Sequence, residues 1–331
     1  MSNPRVENPR LFVNVPSGGS CRIDPAESVL VQAQRYNPQM DAPDESLQQR
    51  IAHVMGRQPV AWRRAEGGYT PAQRWIVTFE DGSSCFAKVA VNDWTADALR
   101  SEYTRVYSRI QARFLPELLG WNDHPVEPLL LIEDLSTAFW PPPWTMSQVE
   151  AVCSTLEAIR GTNLDNLPLL EDDPICRDWW CQVEEQPDLF LALSLVSNDW
   201  LSRSFPILKR ASESAPFHGD DLVHFDVRSD NLCFDGDRVV LIDWNFAARG
   251  NRDVNIATWL PSLHAEGGPA PEAILPNHAE LAAWMSGYWS WNAAHPGPER
   301  LRQLQLSQLR SALPWAVRAL GLPPLDGPNA P

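Results

Sequence analysis

The run His224-Phe225-Asp226-Val227-Arg228-Ser229-Asp230-Asn231, with Ile242-Asp243-Trp244 after it, carries the side chains of this 331-residue chain best suited to chemistry. A carboxylate, an amide and a second carboxylate are hard oxygen donors of the kind Mg²⁺ prefers. Moving a phosphoryl group requires a hydroxyl held in line and positive charge beside the phosphate oxygens. The pattern H-x-D-x-x-x-x-N followed by D is an arrangement suited to that transfer. The competing reading makes Asp226 and Asn231 turn residues and Asp243 a strand cap.

The elements around the run must bring its ends together. Leu232-Cys-Phe and Val239-Val-Leu-Ile242 read as two short strands joined across Asp235-Gly236, a strong hairpin signal. Folding that hairpin returns Asp243 to the end of the ladder where Asn231 sits. Upstream, Val60–Glu66, Arg74–Phe79 and Cys85–Val91 read as an antiparallel meander. A Gly-rich loop at Gly67-Gly68 joins its first two strands and an Asp81-Gly82 turn its last two. On the third strand Phe86, Lys88 and Ala90 share a face, which sets an ammonium in an apolar row. A charge placed there needs a partner or a ligand. Glu102 supplies one, from a helix expected over 95–110 whose inner stripe is Leu99, Tyr103, Val106, Tyr107 and Ile110. The alternative leaves Lys88 snorkelling to solvent and Glu102 a surface charge.

A helix is expected at 45–56, a buried strand at 129–132, and mostly helix beyond. Thr145-x-x-Gln148 reads as a capping box. Further helices are expected at 188–203, 277–294 and 299–320, the last interrupted at Pro314. Trp259–Pro269, with two glycines and two prolines, reads as a fixed irregular loop. Residues 1–44 read as a partly ordered extension with one strand-like island at Leu11–Val15.

Composition narrows the function classes. The net charge of −15 comes with no basic run, which argues against nucleic acid as a partner. No apolar stretch approaches the roughly 20 residues of a membrane span, and the N-terminus lacks the charged and apolar regions of a signal peptide. The expectation is a cytoplasmic protein whose partner is a small-molecule acceptor; the sequence leaves its oligomeric state unknown. Six scattered cysteines show no metal-ligand or C-x-x-C spacing and read as buried thiols. Most of the fifteen tryptophans read as core.

In this order the parts resemble the aminoglycoside phosphotransferase family, small-molecule kinases related to protein kinases and choline kinases, from about Glu45 to Leu322. The resemblance implies an α+β, protein-kinase-like two-lobed fold. Residues 45–134 would form an N-lobe with an antiparallel sheet, and 135–331 a mainly helical C-lobe. ATP would lie between them with Mg²⁺. Asp226 would then be the catalytic aspartate, and Asn231 and Asp243 would hold the metal. Lys88, steadied by Glu102, would contact the α- and β-phosphates under a loop that Gly67 and Gly68 let approach closely. The Glu133 carbonyl and the Leu135 N–H would meet adenine at a hinge.

Three departures stand out. Phe225 occupies a position where the family commonly has Gly. The family's second acid, in Gly-Asp-Pro-x-x-Asp, is here either replaced by Asn255 or shifted to Asp253. Arg228 could act on the γ-phosphate as a catalytic group, or be a structural ion pair with Asp230 or Asp253. The expected activity is ATP-dependent phosphorylation of a small-molecule hydroxyl. A cationic antibiotic such as an aminoglycoside is one acceptor, held in an acidic pocket near Asp220-Asp221 and Glu266–Pro269. A sugar, amino alcohol or amino acid is the alternative. The competing class is a non-catalytic, pseudokinase-type nucleotide-binding protein.

Overall fold

A computed structural model describes residues 42–331 apart from Glu66, Gly67, Tyr69, Asn163 and Pro296. The expected extension up to residue 41, its island at Leu11–Val15, and Gly67 therefore lie outside the described residues.

Helix α1 (Glu45–Met55) starts at Asp44, whose carboxylate accepts from the Leu47 N–H, and stops at Gly56 in the left-handed region. Strands β1 (Pro59–Arg64), β2 (Gln73–Phe79) and β3 (Ser84–Val89) form the expected meander. Helix α2 (Asp93–Glu102) follows a capping box at Asn92 and Thr95, then widens into a π-helical turn over Tyr103–Tyr107. Strands β4 (Leu118–Asn122) and β5 (Leu129–Glu133) complete an antiparallel sheet of order β1-β2-β3-β5-β4.

The two-residue period of these strands decides what each face does. Trp75, Val77, Phe79, Cys85, Ala87, Val89, Leu129 and Leu131 pack under Leu47 and Ile51 of α1. The alternate residues turn to the other side. There Leu130 and Ile132 join the larger core with Leu99 of α2, and Arg74 lies directly across from Lys88 in the β2–β3 register.

The rest of the chain is mainly helical: α3 (Met146–Ile159), α4 (Trp179–Glu185), α5 (Pro187–Leu191), α6 (Asn198–Glu213), α7 (Asp253–Ala265), α8 (Pro271–Ile274), α9 (Ala279–Ala294) and α10 (Glu299–Ala319). Four short strands sit among them: β6 (Asp221–Val223), β7 (Leu232–Asp235), β8 (Arg238–Leu241) and β9 (Ala248–Gly250). The β7–β8 hairpin pairs Leu232 with Leu241 and Asp235 with Arg238, as its turn residues suggest. Together these elements make the expected α+β, two-lobed architecture. No helix among the described residues is long and apolar enough to cross a membrane.

Several local expectations give way to packing. The helix expected at 188–203 is two helices, because the chain turns at Ser194 with a positive φ of 59° before Ser197 caps α6. Helix α10 runs through Pro314 without interruption. Leu313, Trp315 and Ala316 beside the proline are buried in the core, and that burial offsets the lost backbone bond. Trp259–Ala265 is helix, not loop, for the same reason: Trp259, Leu260 and Leu263 are fully buried and Pro261 is carried along inside α7. Only Glu266–Pro269 remains irregular.

The tryptophan reading holds. Trp179, Trp180, Trp200, Trp244, Trp259, Trp284 and Trp315 are fully buried. Cys85 and Cys233 are buried as expected, and burial pushes each thiol up to about 12.

Strand β6 leads straight into His224, so its seat matters to the site. A Cβ at Gly219 would meet the Gly250 carbonyl oxygen at 2.5 Å, against backbone that has no rotamer to yield. Gly219→Ala is expected to destabilise the protein by about 1–3 kcal/mol, the usual range for overpacking. Urea unfolding of the two proteins measures it.

Candidate active site

His224, Phe225 and Asp226 leave β6 as a loop with no ladder of its own, so other groups must satisfy its backbone. Asn255, one turn into α7, does most of this. Its Oδ1 accepts from the His224 N–H at 2.8 Å and from the Phe225 N–H at 3.4 Å, while its Nδ2 donates to the Leu222 carbonyl at 3.2 Å. The open choice between Asn255 and Asp253 is thereby decided. Asp253 instead faces His278 at 3.2 Å and Arg252 at 3.7 Å.

His224 is fully buried. Its Nδ1 accepts from the Asp226 N–H at 3.2 Å, which puts the proton on Nε2, 2.8 Å from the Ile242 carbonyl oxygen. Burial lowers its pKa to about 4, so the ring is a neutral brace between the loop and the end of β8. Phe225 is held at φ +73°, a conformation that costs a bulky side chain about 1–2 kcal/mol. The Asn255 bond to its N–H helps keep it there.

Asp226 is mostly buried, and that burial raises its pKa to about 6 against the opposing pull of Arg228. Arg228 Nη1 lies 3.2 Å from Asp226 Oδ1, and its Nε and Nη2 bind both oxygens of Asp230 at 2.9 Å. Of the two partners expected for Arg228, Asp230 is the one it meets. Asn231 Nδ2 donates to Asp226 Oδ2 and to the Asp226 carbonyl, each at 2.9 Å. The Ile242 N–H donates to the Asn231 carbonyl at 2.9 Å, so the ladder sets Asn231 beside Asp243 as the hairpin signal implies.

Asp243 sits at φ +67° with Oδ1 2.7 Å from Lys88 Nζ. The same ammonium binds Glu102 Oε2 at 2.8 Å, so the expected Lys88–Glu102 pair is present and extended by a third member. Burial works against all these charges. At Asp243 it is outweighed by Lys88 and then Arg74, and the carboxyl stays below its usual range. Lys88 is likewise raised, because Asp243 and Glu102 more than offset its burial. Glu102, only 1% exposed, is pushed up by burial and by Asp243. Asp243 and Asn231, set at one end of the hairpin by the Ile242–Asn231 bond, offer hard oxygen donors of the kind Mg²⁺ takes.

At the hinge, the Glu133 carboxylate is committed to Arg238 at 2.6 Å. The Leu135 carbonyl accepts from the Trp140 indole N–H at 3.1 Å and the Ala138 N–H at 3.1 Å, while its own N–H meets no acceptor among the described residues. Gly68 has φ +72°, and a Cβ there would lie 2.6 Å from Arg74 Nη2. Arg74 is a site residue the sequence reading missed. Its signal was available in the strand period, which puts it on the same face as Lys88.

The recess in front of Asp226 is not the acidic pocket expected. Six of its lining side chains are Phe225, Phe246, Trp284, Met285, Tyr288 and Trp289, with Ile175 and Thr258 beside them. Its charged members are Asp226 and Arg228, one of each sign. The Asp220 side chain is 89% exposed and lies 3.8 Å from Arg249. Glu266 is taken by the Ser229 hydroxyl at 2.5 Å and the Trp144 indole N–H at 2.7 Å. The acidic residues are thus spread over the surface or paired locally, not gathered at the recess.

The chain matches no family model and no curated protein. Among solved structures it is similar to a choline/ethanolamine kinase family protein from Mesorhizobium loti, with 11% identity and a TM-score of 0.54 over 83% of this chain and 97% of that one. It is also similar to a macrolide 2′-phosphotransferase type I, with 17% identity and a TM-score of 0.51 over 82% of this chain and 99% of that one. At such identities the likeness establishes the fold alone, the α+β, two-lobed arrangement that the chain shares with these two proteins.

Asn255→Ala would leave two buried backbone N–H groups without an acceptor. It is expected to cost about 1–3 kcal/mol of stability, measured by denaturant unfolding. Asn255→Asp, which keeps the acceptor oxygen, should recover part of it.

Proposed function

We propose that this protein is an ATP-dependent phosphotransferase that moves the γ-phosphoryl group to a hydroxyl of a small molecule. The observation that carries this reading is the convergence of Asp226 and Asn231 from one loop, Asp243 from the end of the hairpin and Lys88 from the sheet. A pseudokinase needs no such set, and the turn-and-cap reading of the motif does not account for Lys88 reaching Asp243.

In this reading Asp226 accepts the proton of the acceptor hydroxyl as its oxygen bonds to the γ-phosphorus. The bond to the β–γ bridging oxygen breaks and ADP leaves. Arg228, already engaged by Asp230, holds Asp226 in place more than it reaches for phosphate. Lys88 shifts from Asp243 toward the α- and β-phosphates, with Glu102 keeping it ionised. Asn231 and Asp243 would hold Mg²⁺, which when bound would supply positive charge beside the phosphate oxygens. Gly67 and Gly68 cover the phosphates, while the Glu133 carbonyl and the Leu135 N–H meet adenine.

The acceptor is more consistent with the alternative class than with a polycation. An aromatic and aliphatic recess with one acid and one base offers a polycation no net attraction. Its lining favours an uncharged or zwitterionic molecule that presents a small apolar group there, since the recess holds only about 20 Å³.

Coupled-enzyme measurement of ADP release, across a panel of uncharged alcohols, amino alcohols, hydroxy amino acids, sugars and aminoglycosides, tests both levels. Turnover is expected with an uncharged or zwitterionic acceptor, and Asp226→Asn should lower it by about 10²–10⁴ while leaving Mg²⁺-nucleotide binding nearly intact. Turnover confined to aminoglycosides would reject the acceptor class; an Asp226→Asn protein within a few fold of wild type would reject the base.

The carboxylate form of Asp226 is the one that accepts a proton. Its raised pKa of about 6 therefore predicts turnover that climbs as pH passes through about 6 and levels off above it. A pH profile of kcat/KM for the acceptor checks this.

A further inference from the structure

Arg74 has no part in the motif, yet it occupies a central place in the cleft. On β2 it pairs directly with Lys88 of β3, so both side chains leave the same face of the sheet. Its guanidinium is folded back under the Gly-rich loop. Nη1 donates to the Thr70 carbonyl at 3.1 Å and the Ala72 carbonyl at 2.9 Å, and Nη2 donates to the Thr70 hydroxyl. The closeness of the guanidinium to Gly68 explains why a side chain there would collide with it. Burial lowers its pKa, while Asp243 and Glu102 pull the other way, so it lies within electrostatic reach of both carboxylates.

Charge balance gives this placement a consequence. Lys88 alone faces two carboxylates, Glu102 and Asp243, and that trio carries a net negative charge when all are ionised. Such a trio repels a triphosphate. Arg74 brings the cluster to neutrality. Guanidinium has five N–H donors in a planar fork, and the loop uses three of them. The Nε–H and the second Nη2–H make no hydrogen bond among the described residues, and a pair of guanidinium donors matches two oxygens of a phosphate.

Resting on the nucleotide reading above, we infer that Arg74 is a second phosphate-binding residue of the cleft, gripping the triphosphate with its Nε–Nη2 edge while its other edge fixes the loop that covers it. The loop and the phosphates are then coupled through one side chain. Lysine cannot replace it, having charge but no fork.

Calorimetric titration with adenosine, ADP and a non-hydrolysable ATP analogue, each with Mg²⁺, tests this in wild type, Arg74→Gln and Arg74→Lys. For Arg74→Gln the loss of affinity is expected to grow with the number of phosphates. Adenosine should be unaffected, and the ATP analogue weakened on the order of ten- to a hundredfold, the usual worth of hydrogen bonds to a charged group. Arg74→Lys should fall between the two and keep most of the salt dependence that Arg74→Gln loses. A purely structural strut would weaken all three ligands alike, and that result overturns the inference, as does unchanged affinity for the ATP analogue. If Arg74→Gln does not fold, the same ligand series on Arg74→Lys decides by the same criterion. Wild type that binds none of the three would reject the nucleotide reading itself, a result distinct from a failure of Arg74 alone.

Discussion

The site turns on one ammonium group that answers to carboxylates from both lobes. Lys88 leaves the sheet at β3, Glu102 reaches it from the end of α2, and Asp243 arrives from the hairpin of the helical lobe. Burying three charges is expensive, and the attraction among them only offsets that cost if geometry is kept. The π-helical turn after Glu102 and the 3.3 Å bond from the Trp244 N–H to its Oε1 help keep it. The cluster thus does little as simple stabilisation and much as a register: it fixes where the sheet sits above the hairpin.

A second constraint concerns backbone strain. Phe225 and Asp243 both adopt positive φ; the first precedes Asp226 and the second is the carboxylate that meets Lys88. Their strain is carried by neighbours that have no freedom to relax it: Asn255 on one side of the loop and neutral His224 on the other. The histidine of the motif is therefore a spacer whose two nitrogens join two strained segments. At Phe225 the strain also delivers an aromatic ring to the recess, where it meets Trp284 at 5.9 Å and Phe246 at 6.5 Å between ring centroids.

Net charge proves a poor guide to that recess. A charge of −15 is a property of the whole surface, and potential at a cleft depends on the few groups that face it. Here those groups are Asp226 and Arg228, while acids such as Glu171, Glu184 and Glu266 are matched by His218, Lys209 and Ser229 with Trp144. The aromatic residues tell more: Trp284, Tyr288 and Trp289 of α9 meet Phe225 and Phe246 around Asp226.

What the sequence determined by itself was whatever depends on short-range order. The Asp-Gly turns and the two-residue strand period are local, so the hairpin that brings Asn231 to Asp243 and the face that carries Lys88 were legible. The capping box at Thr145 was legible for the same reason. Tertiary structure decided the rest. Strands β4, β6 and β9 are too short and irregular to announce themselves, and exist because a neighbour offers them a ladder. The prolines in α7 and α10 break no helix because buried side chains on either side outweigh one missing hydrogen bond. The choice of Asn255 over Asp253, and the apolar character of the recess, depend on which side chains meet across thirty or more residues of chain. No local pattern encodes such meetings; they follow from the burial of α7 and α9 against the loop that leaves β6.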